Sequence, residues 1–151
     1  MKKFHVRDGL GIKLWQRAGY EFGILTARTS QIVKLRAAEL GINIVRQGFE
    51  DKLPVAIQII QQLKLEPSQV CYIGDDLTDI AVIQQVGLGV AVSDAAEEVQ
   101  RVADYQTISA GGAGAVRELI EMLLKAKGRW HDLVRHYHDD PGKNTPVSPS
   151  N

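Results

Sequence analysis

The chain has 151 residues, 44% of them hydrophobic and 24% charged, and its 18 basic side chains balance 18 acidic ones. That length suits one domain with its own core, and a zero net charge gives no electrostatic reason to capture nucleic acid or an anionic lipid surface. No apolar stretch is long enough to span a membrane, and the one cysteine, Cys71, lies in an apolar run and has no partner for an internal disulfide, which fits a reducing cytoplasm.

The chain enters an amphipathic pattern almost at once, with no opening strand. Ile12, Leu14, Trp15 and Ala18 share one helical face, which Gly19 can end. A short apolar strand follows over residues 21–25. Thr29 or Ser30 can cap the next helix, whose apolar positions include Ile32, Val33, Leu35 and Leu40. Residues 42–45 read as a strand. Asp51 can cap a helix that carries Pro54 in its first turn. Residues 70–73 form a third strand, apolar on both faces as buried parallel strands are. A short helix over 78–86, a strand over 88–92, a helix over 95–102 and a strand over 105–108 continue the alternation. The glycine-rich run 110–114 reads as a flexible loop leading into a last strongly amphipathic helix over 115–126. From residue 138 the chain is proline-rich with almost nothing apolar, which reads as a disordered or partner-dependent arm. Alternating strands and helices with short connections predict an α/β fold, a doubly wound, Rossmann-like parallel sheet, with ligands outside the carboxyl ends of its strands.

Three polar features lie just past strand ends: Thr26-Ala27-Arg28, Lys52, and Gly74-Asp75-Asp76-Leu77-Thr78-Asp79. In a parallel sheet they converge on one edge, where they suit phosphoryl transfer, a chemistry of positioning and charge stabilisation. Thr26 can donate to a phosphate oxygen and Lys52 can neutralise another. Asp75 can hold Mg2+, which needs only one or two carboxylates. Asp76 or Asp79 can orient Lys52, and one of the three aspartates can equally be a helix N-cap. Arg28 and Arg36 fall on roughly one side of the following helix and could fork onto a carboxylate or phosphate. The spacing of the acidic residues excludes an EF-hand. A receiver-type signalling domain is disfavoured, because Thr26 and Lys52 precede Asp75 instead of following it.

In that order, Ile24-Leu25-Thr26-Ala27-Arg28, Asp51-Lys52-Leu53 and the aspartate run resemble the second, third and fourth motifs of the haloacid dehalogenase superfamily. The flanks Phe4–Ile12, Val90–Ala95 and Gly111–Glu118 are similar to its 3-deoxy-D-manno-octulosonate 8-phosphate phosphatases. The likeness runs to about Gly128, so the chain divides into a cap-less phosphatase domain over 1–128 and a C-terminal helix or arm over 129–151. The resemblance implies a Mg2+-dependent homotetrameric hydrolase of this sugar phosphate. In it Asp75 binds the metal with support from Asp76, and Thr26 and Lys52 hold the phosphoryl group. Asp79 is a supporting carboxylate. His5, Val6, Arg7, Asp8 and Gly9, with Lys13, Arg28, Arg36 and Lys52, contact the substrate.

Two departures stand out. Ala113 occupies a place in the glycine-rich loop where relatives carry an arginine that bears on a neighbouring active site. The family's opening Asp-x-Asp, whose first carboxylate is the nucleophile and whose second is the acid and base, occurs nowhere in the sequence. The first central strand of the sheet is therefore expected to be missing from this chain, with a misassigned start or a fragment as the expected cause. A non-catalytic module of the same fold, kept for oligomerisation or binding, is the second reading.

Overall fold

The structure is a computed structural model and describes residues 6–138. In chain order it holds α1 (Val6–Arg17), β1 (Gly23–Thr26), α2 (Gln31–Glu39), β2 (Ile44–Gln47), α3 (Lys52–Gln62), β3 (Cys71–Gly74), α4 (Ile80–Gln85), β4 (Leu88–Ala91), α5 (Glu97–Val102), β5 (Tyr105–Gln106), α6 (Ala115–Ala126) and α7 (Trp130–His138). All strand pairs are parallel, so the expected α/β architecture is the one observed.

The sheet is interrupted. β1 pairs with β2, and β3, β4 and β5 form a separate sheet in that order. Among the described residues β1 and β3 each keep one edge without a strand partner. Burial follows from this. Val90 and Ala91 of β4, flanked on both sides, are 0% exposed. The apolar residues Ile24 and Leu25 of β1 and Ile73 of β3 are only half-buried.

Two apolar clusters hold the halves. One gathers Ile12 and Leu14 of α1, Ala37 of α2, Ile120 and Leu124 of α6 and Leu133 of α7, with Ile24 and Val45 packed against it. The other gathers Ile83, Ala91, Val92, Val99 and Ala115. Each of the Val, Leu and Ile side chains among them contributes roughly 1.5–3 kcal/mol when fully covered. α3 touches both β1 and α4 and so bridges the two sheets. α7 is seated by Leu133 and by Trp130, whose ring lies 5.5 Å from the Arg117 guanidinium and 5.7 Å from the Lys125 ammonium.

Several local expectations are narrowed or corrected. Ser30, not Thr29, caps α2, its Oγ accepting from Val33 N–H at 3.3 Å. Asp51 occupies the N-cap position of α3 but its side chain makes no capping bond. β5 stops at Gln106 instead of reaching residue 108, because the amides of Ile108 and Ser109 donate to the Glu118 carboxylate. The glycine-rich run is not a free loop. Gly111 N–H donates to Asp94 Oδ1 at 3.0 Å, and Gly114, at φ 106°, turns the chain into α6 in a conformation that favours glycine. The arm expected from residue 138 onward lies almost wholly outside the described residues.

Candidate active site

Because β1, β2 and β3 run parallel to their partners, Thr26, the turn after Gln47, and Gly74 all lie at carboxyl ends. Thr26 is buried. Its Oγ1 accepts from Arg28 N–H at 3.2 Å, and its carbonyl accepts from Gly48 N–H at 3.0 Å, tying the end of β1 to the turn that leads into α3.

Lys52 is the first residue of α3 and is 7% exposed. Its Nζ donates to Asp79 Oδ1 at 2.6 Å, across 27 residues of sequence. Asp79 is 2% exposed and receives three further donors: Tyr72 OH on Oδ1 at 2.6 Å, and the amides of Asp75 and Asp76 on Oδ2 at 2.9 and 3.1 Å. Burial by itself would raise the Asp79 pKa. The bonds from Lys52, Tyr72 and the two amides outweigh it and hold the carboxyl below its ordinary value. The Tyr72 phenol moves the other way, pushed up first by burial and then by the Asp79 carboxylate, so it stays a neutral donor.

The three aspartates therefore separate by role. Asp79 orients Lys52. Asp76 is the N-cap of the 3-10 turn Leu77–Asp79, its Oδ1 accepting from Leu77 N–H at 2.7 Å. Asp75 presents an exposed residue whose backbone is pinned at both ends, its N–H to Asp79 and its carbonyl accepting from Ala96 N–H at 2.9 Å. An exposed aspartate on a pinned backbone fits Mg2+, which binds through one or two carboxylates and keeps several waters. Among the described residues no group of three or more His, Cys, Asp or Glu side chains is gathered as a metal site.

The remaining candidates fall elsewhere. His5 lies outside the described residues. Val6, Arg7 and Lys13 are exposed on α1, whereas Asp8 and Gly9 are buried. Asp8 Oδ1 accepts from Arg117 N–H at 2.9 Å and so caps the start of α6 from another helix. Arg36 pairs with Glu39 at 2.9 Å, and a Cβ on Gly9 would come within 3.9 Å of its Nη2, which places Arg36 beside α1. Arg28 precedes the Ser30 cap, so the helical-face argument linking it to Arg36 does not hold. A cleft of about 430 Å³ beside α6 is lined by Arg7, Ala113 and Arg117 among others, and includes neither Lys52 nor any of the three aspartates. Cys71 is inert, its thiol pushed up to about 12 by burial and then by Asp104.

The sequence does not single out Tyr72, which reads there as part of an apolar strand. Two signals point to it. A half-buried phenol needs a partner, and residues 72 and 74 of a strand share a face.

A family model described as haloacid dehalogenase-like hydrolase matches residues 42–120. A 3-deoxy-D-manno-octulosonate 8-phosphate phosphatase of Escherichia coli K12 is 43% identical over 129 residues, covering 85% of this chain and 69% of that protein. The crystal structure of such a phosphatase from Moraxella catarrhalis, in complex with magnesium, phosphate and a KDO molecule, superposes with a TM-score of 0.88 at 39% identity, over 91% of this chain and 79% of that one. A cobalt-bound deoxy-D-mannose-octulosonate 8-phosphate phosphatase from Haemophilus influenzae gives 0.83 at 37% identity, over 86% and 76%.

Proposed function

The chain belongs to the haloacid dehalogenase-like hydrolases, and from that premise we propose that its site serves Mg2+-dependent hydrolysis of 3-deoxy-D-manno-octulosonate 8-phosphate to the sugar acid and phosphate. The observation that carries the reading is the buried Lys52–Asp79 pair at 2.6 Å beside the exposed Asp75, at the strand ends where this fold binds ligands.

Each residue has a task. Thr26 Oγ1 accepts from Arg28 N–H, which leaves its own proton to donate to a phosphate oxygen. Lys52 carries three N–H donors, of which one goes to Asp79 and the others serve the phosphoryl group. Asp79 holds the ammonium in place at one oxygen. Asp75 would hold the magnesium ion, which when bound neutralises phosphate charge and orients the phosphoryl group. The carboxylates of the family's first motif are not among the 151 residues. The open edges of β1 and β3 are where a strand carrying them would add.

The test is the chain extended at its N-terminus by an apolar strand that ends in Asp-x-Asp. It is expected to release phosphate from the octulosonate phosphate in the presence of Mg2+ and to stop on chelation. Asp75→Ala in that protein is expected to lower kcat/KM by at least about 100-fold, since even residues behind a metal ligand cost 10–100-fold. Full activity of Asp75→Ala would remove the metal assignment, and no turnover of this substrate by the extended chain would remove the substrate.

The same reading includes a homotetramer in the cytoplasm. Val6 and Ile108, 81% and 87% exposed, are apolar side chains that association would cover. Sedimentation velocity is expected to show a fourfold mass, and a monomer at micromolar concentration would contradict it.

A further inference from the structure

The Asp79 carboxylate is surrounded by donors, and they are not equivalent. Oδ2 takes two backbone amides, which fix the turn after β3. Oδ1 takes two side chains, Lys52 Nζ and Tyr72 OH, each at 2.6 Å. A distance of 2.6 Å between a hydroxyl and a carboxylate oxygen is in the range of charge-assisted bonds. Since the phenol is held neutral, it acts toward Asp79 only as a donor.

The placement follows from β3 itself. Tyr72 and Gly74 lie on one face of the strand. A Cβ on Gly74 would stand 2.5 Å from the Asp79 Cβ, so the missing side chain at 74 makes the room that Asp79 fills. The phenol at 72 then meets the carboxylate lodged there. One strand face thus supplies both the vacancy and the hydrogen bond. With the amides occupying Oδ2 and the phenol sharing Oδ1, the carboxylate cannot turn to offer both oxygens to Lys52. The ammonium is held at one oxygen and its other N–H groups remain directed elsewhere.

We infer that Tyr72 is a positioning residue for the phosphate-holding lysine, acting through Asp79 Oδ1. The inference rests on Lys52 holding phosphate, as proposed above. Tyr72 touches neither substrate nor metal in this account. Its hydroxyl fixes the orientation of Asp79, and Asp79 fixes Lys52. A ring without the hydroxyl keeps the packing of the strand but removes one of the two side-chain donors on Oδ1, so that oxygen's position is set less tightly.

The experiment is calorimetric binding of inorganic phosphate with Mg2+ to the unsubstituted chain, Tyr72→Phe, Lys52→Met and the double variant, with thermal unfolding of each. Tyr72→Phe is expected to weaken phosphate about tenfold, the size of one lost charged hydrogen bond. In the Lys52→Met background the same change is expected to have no further effect, because the residue it positions is gone. A purely structural role would lower the unfolding temperature and leave affinity alone. Tyr72→Phe affinity within twofold of the parent, with Lys52→Met weakened, would overturn the inference and spare the phosphate role of Lys52. A Tyr72→Phe loss that persists undiminished without Lys52 would also overturn it. Unchanged affinity in Lys52→Met, or no phosphate binding by the unsubstituted chain, would remove the reading of Lys52 and this one with it.

Discussion

Asp79→Ala is expected to destabilise the fold by about 3–5 kcal/mol, the cost of leaving a buried charge without its partner. Lys52 is 7% exposed, so water cannot readily replace the carboxylate. Two amides and a phenol lose their acceptor at the same moment. Asp79→Asn is expected to be nearly as damaging, for a reason specific to this site. All four partners are donors, so the amide nitrogen of asparagine would face a donor whichever way it turned. The carboxylate's pKa is lowered in the folded state, so its contribution is fully present above about pH 4, the unfolded value, and is lost as pH falls through the folded value. Urea unfolding of the three proteins at pH 7 and at pH 3 measures both effects. A loss below about 1 kcal/mol for Asp79→Ala, within the range of an exposed ion pair, would mean that Lys52 finds another partner or reaches water.

Gly74→Ala is expected to displace Asp79 without touching any charge. The added methyl would lie 2.5 Å from Asp79 Cβ, 2.6 Å from Cγ and 2.8 Å from Oδ2. Gly74 does not have a positive φ, so alanine fits the backbone, and the whole penalty comes from that approach. Overpacking of this kind costs about 1–3 kcal/mol, and here the atoms that must yield are those that hold Lys52. Weaker phosphate binding is expected with the lost stability. Gly111→Ala is the control, since its nearest contact would be an ordinary 3.5 Å. If Gly74→Ala matched Gly111→Ala in both unfolding and phosphate binding, the carboxylate would have room that the structure does not show.

The two variants bear on one physical point. A lysine at the start of a helix and an aspartate after a strand are each unremarkable in a sequence. What makes them a site is the closure of a separation of 27 residues, which brings Nζ and Oδ1 to 2.6 Å in a place with little water. The other candidates show the converse. Asp8, expected to contact substrate by resemblance, is buried and its carboxylate accepts from the first turn of α6. Arg36, read as one arm of a fork with Arg28, is paired within its own helix.

Much was legible in the sequence for a physical reason. Hydrophobic period and strand-to-helix alternation follow from local geometry, so β1 to β4 and α6 lie close to where the pattern placed them. The order of Thr26, Lys52 and Asp75 along the chain carried the family. Among the described residues the sheet is broken between β1 and β3, which pair in separate sheets. Tertiary structure alone decided the rest. Asp75, Asp76 and Asp79 are chemically identical in sequence, and only the fold makes one exposed, one a cap and one the anchor of Lys52. Tyr72 reads as an apolar strand residue until the fold sets its hydroxyl against Asp79. The glycine-rich run reads as loose until Asp94, on a separate segment, takes the Gly111 amide and Glu118 of α6 takes that of Ser109 beside it. Hydrogen bonds between remote segments leave no period in a sequence, so these roles became visible only in the folded chain.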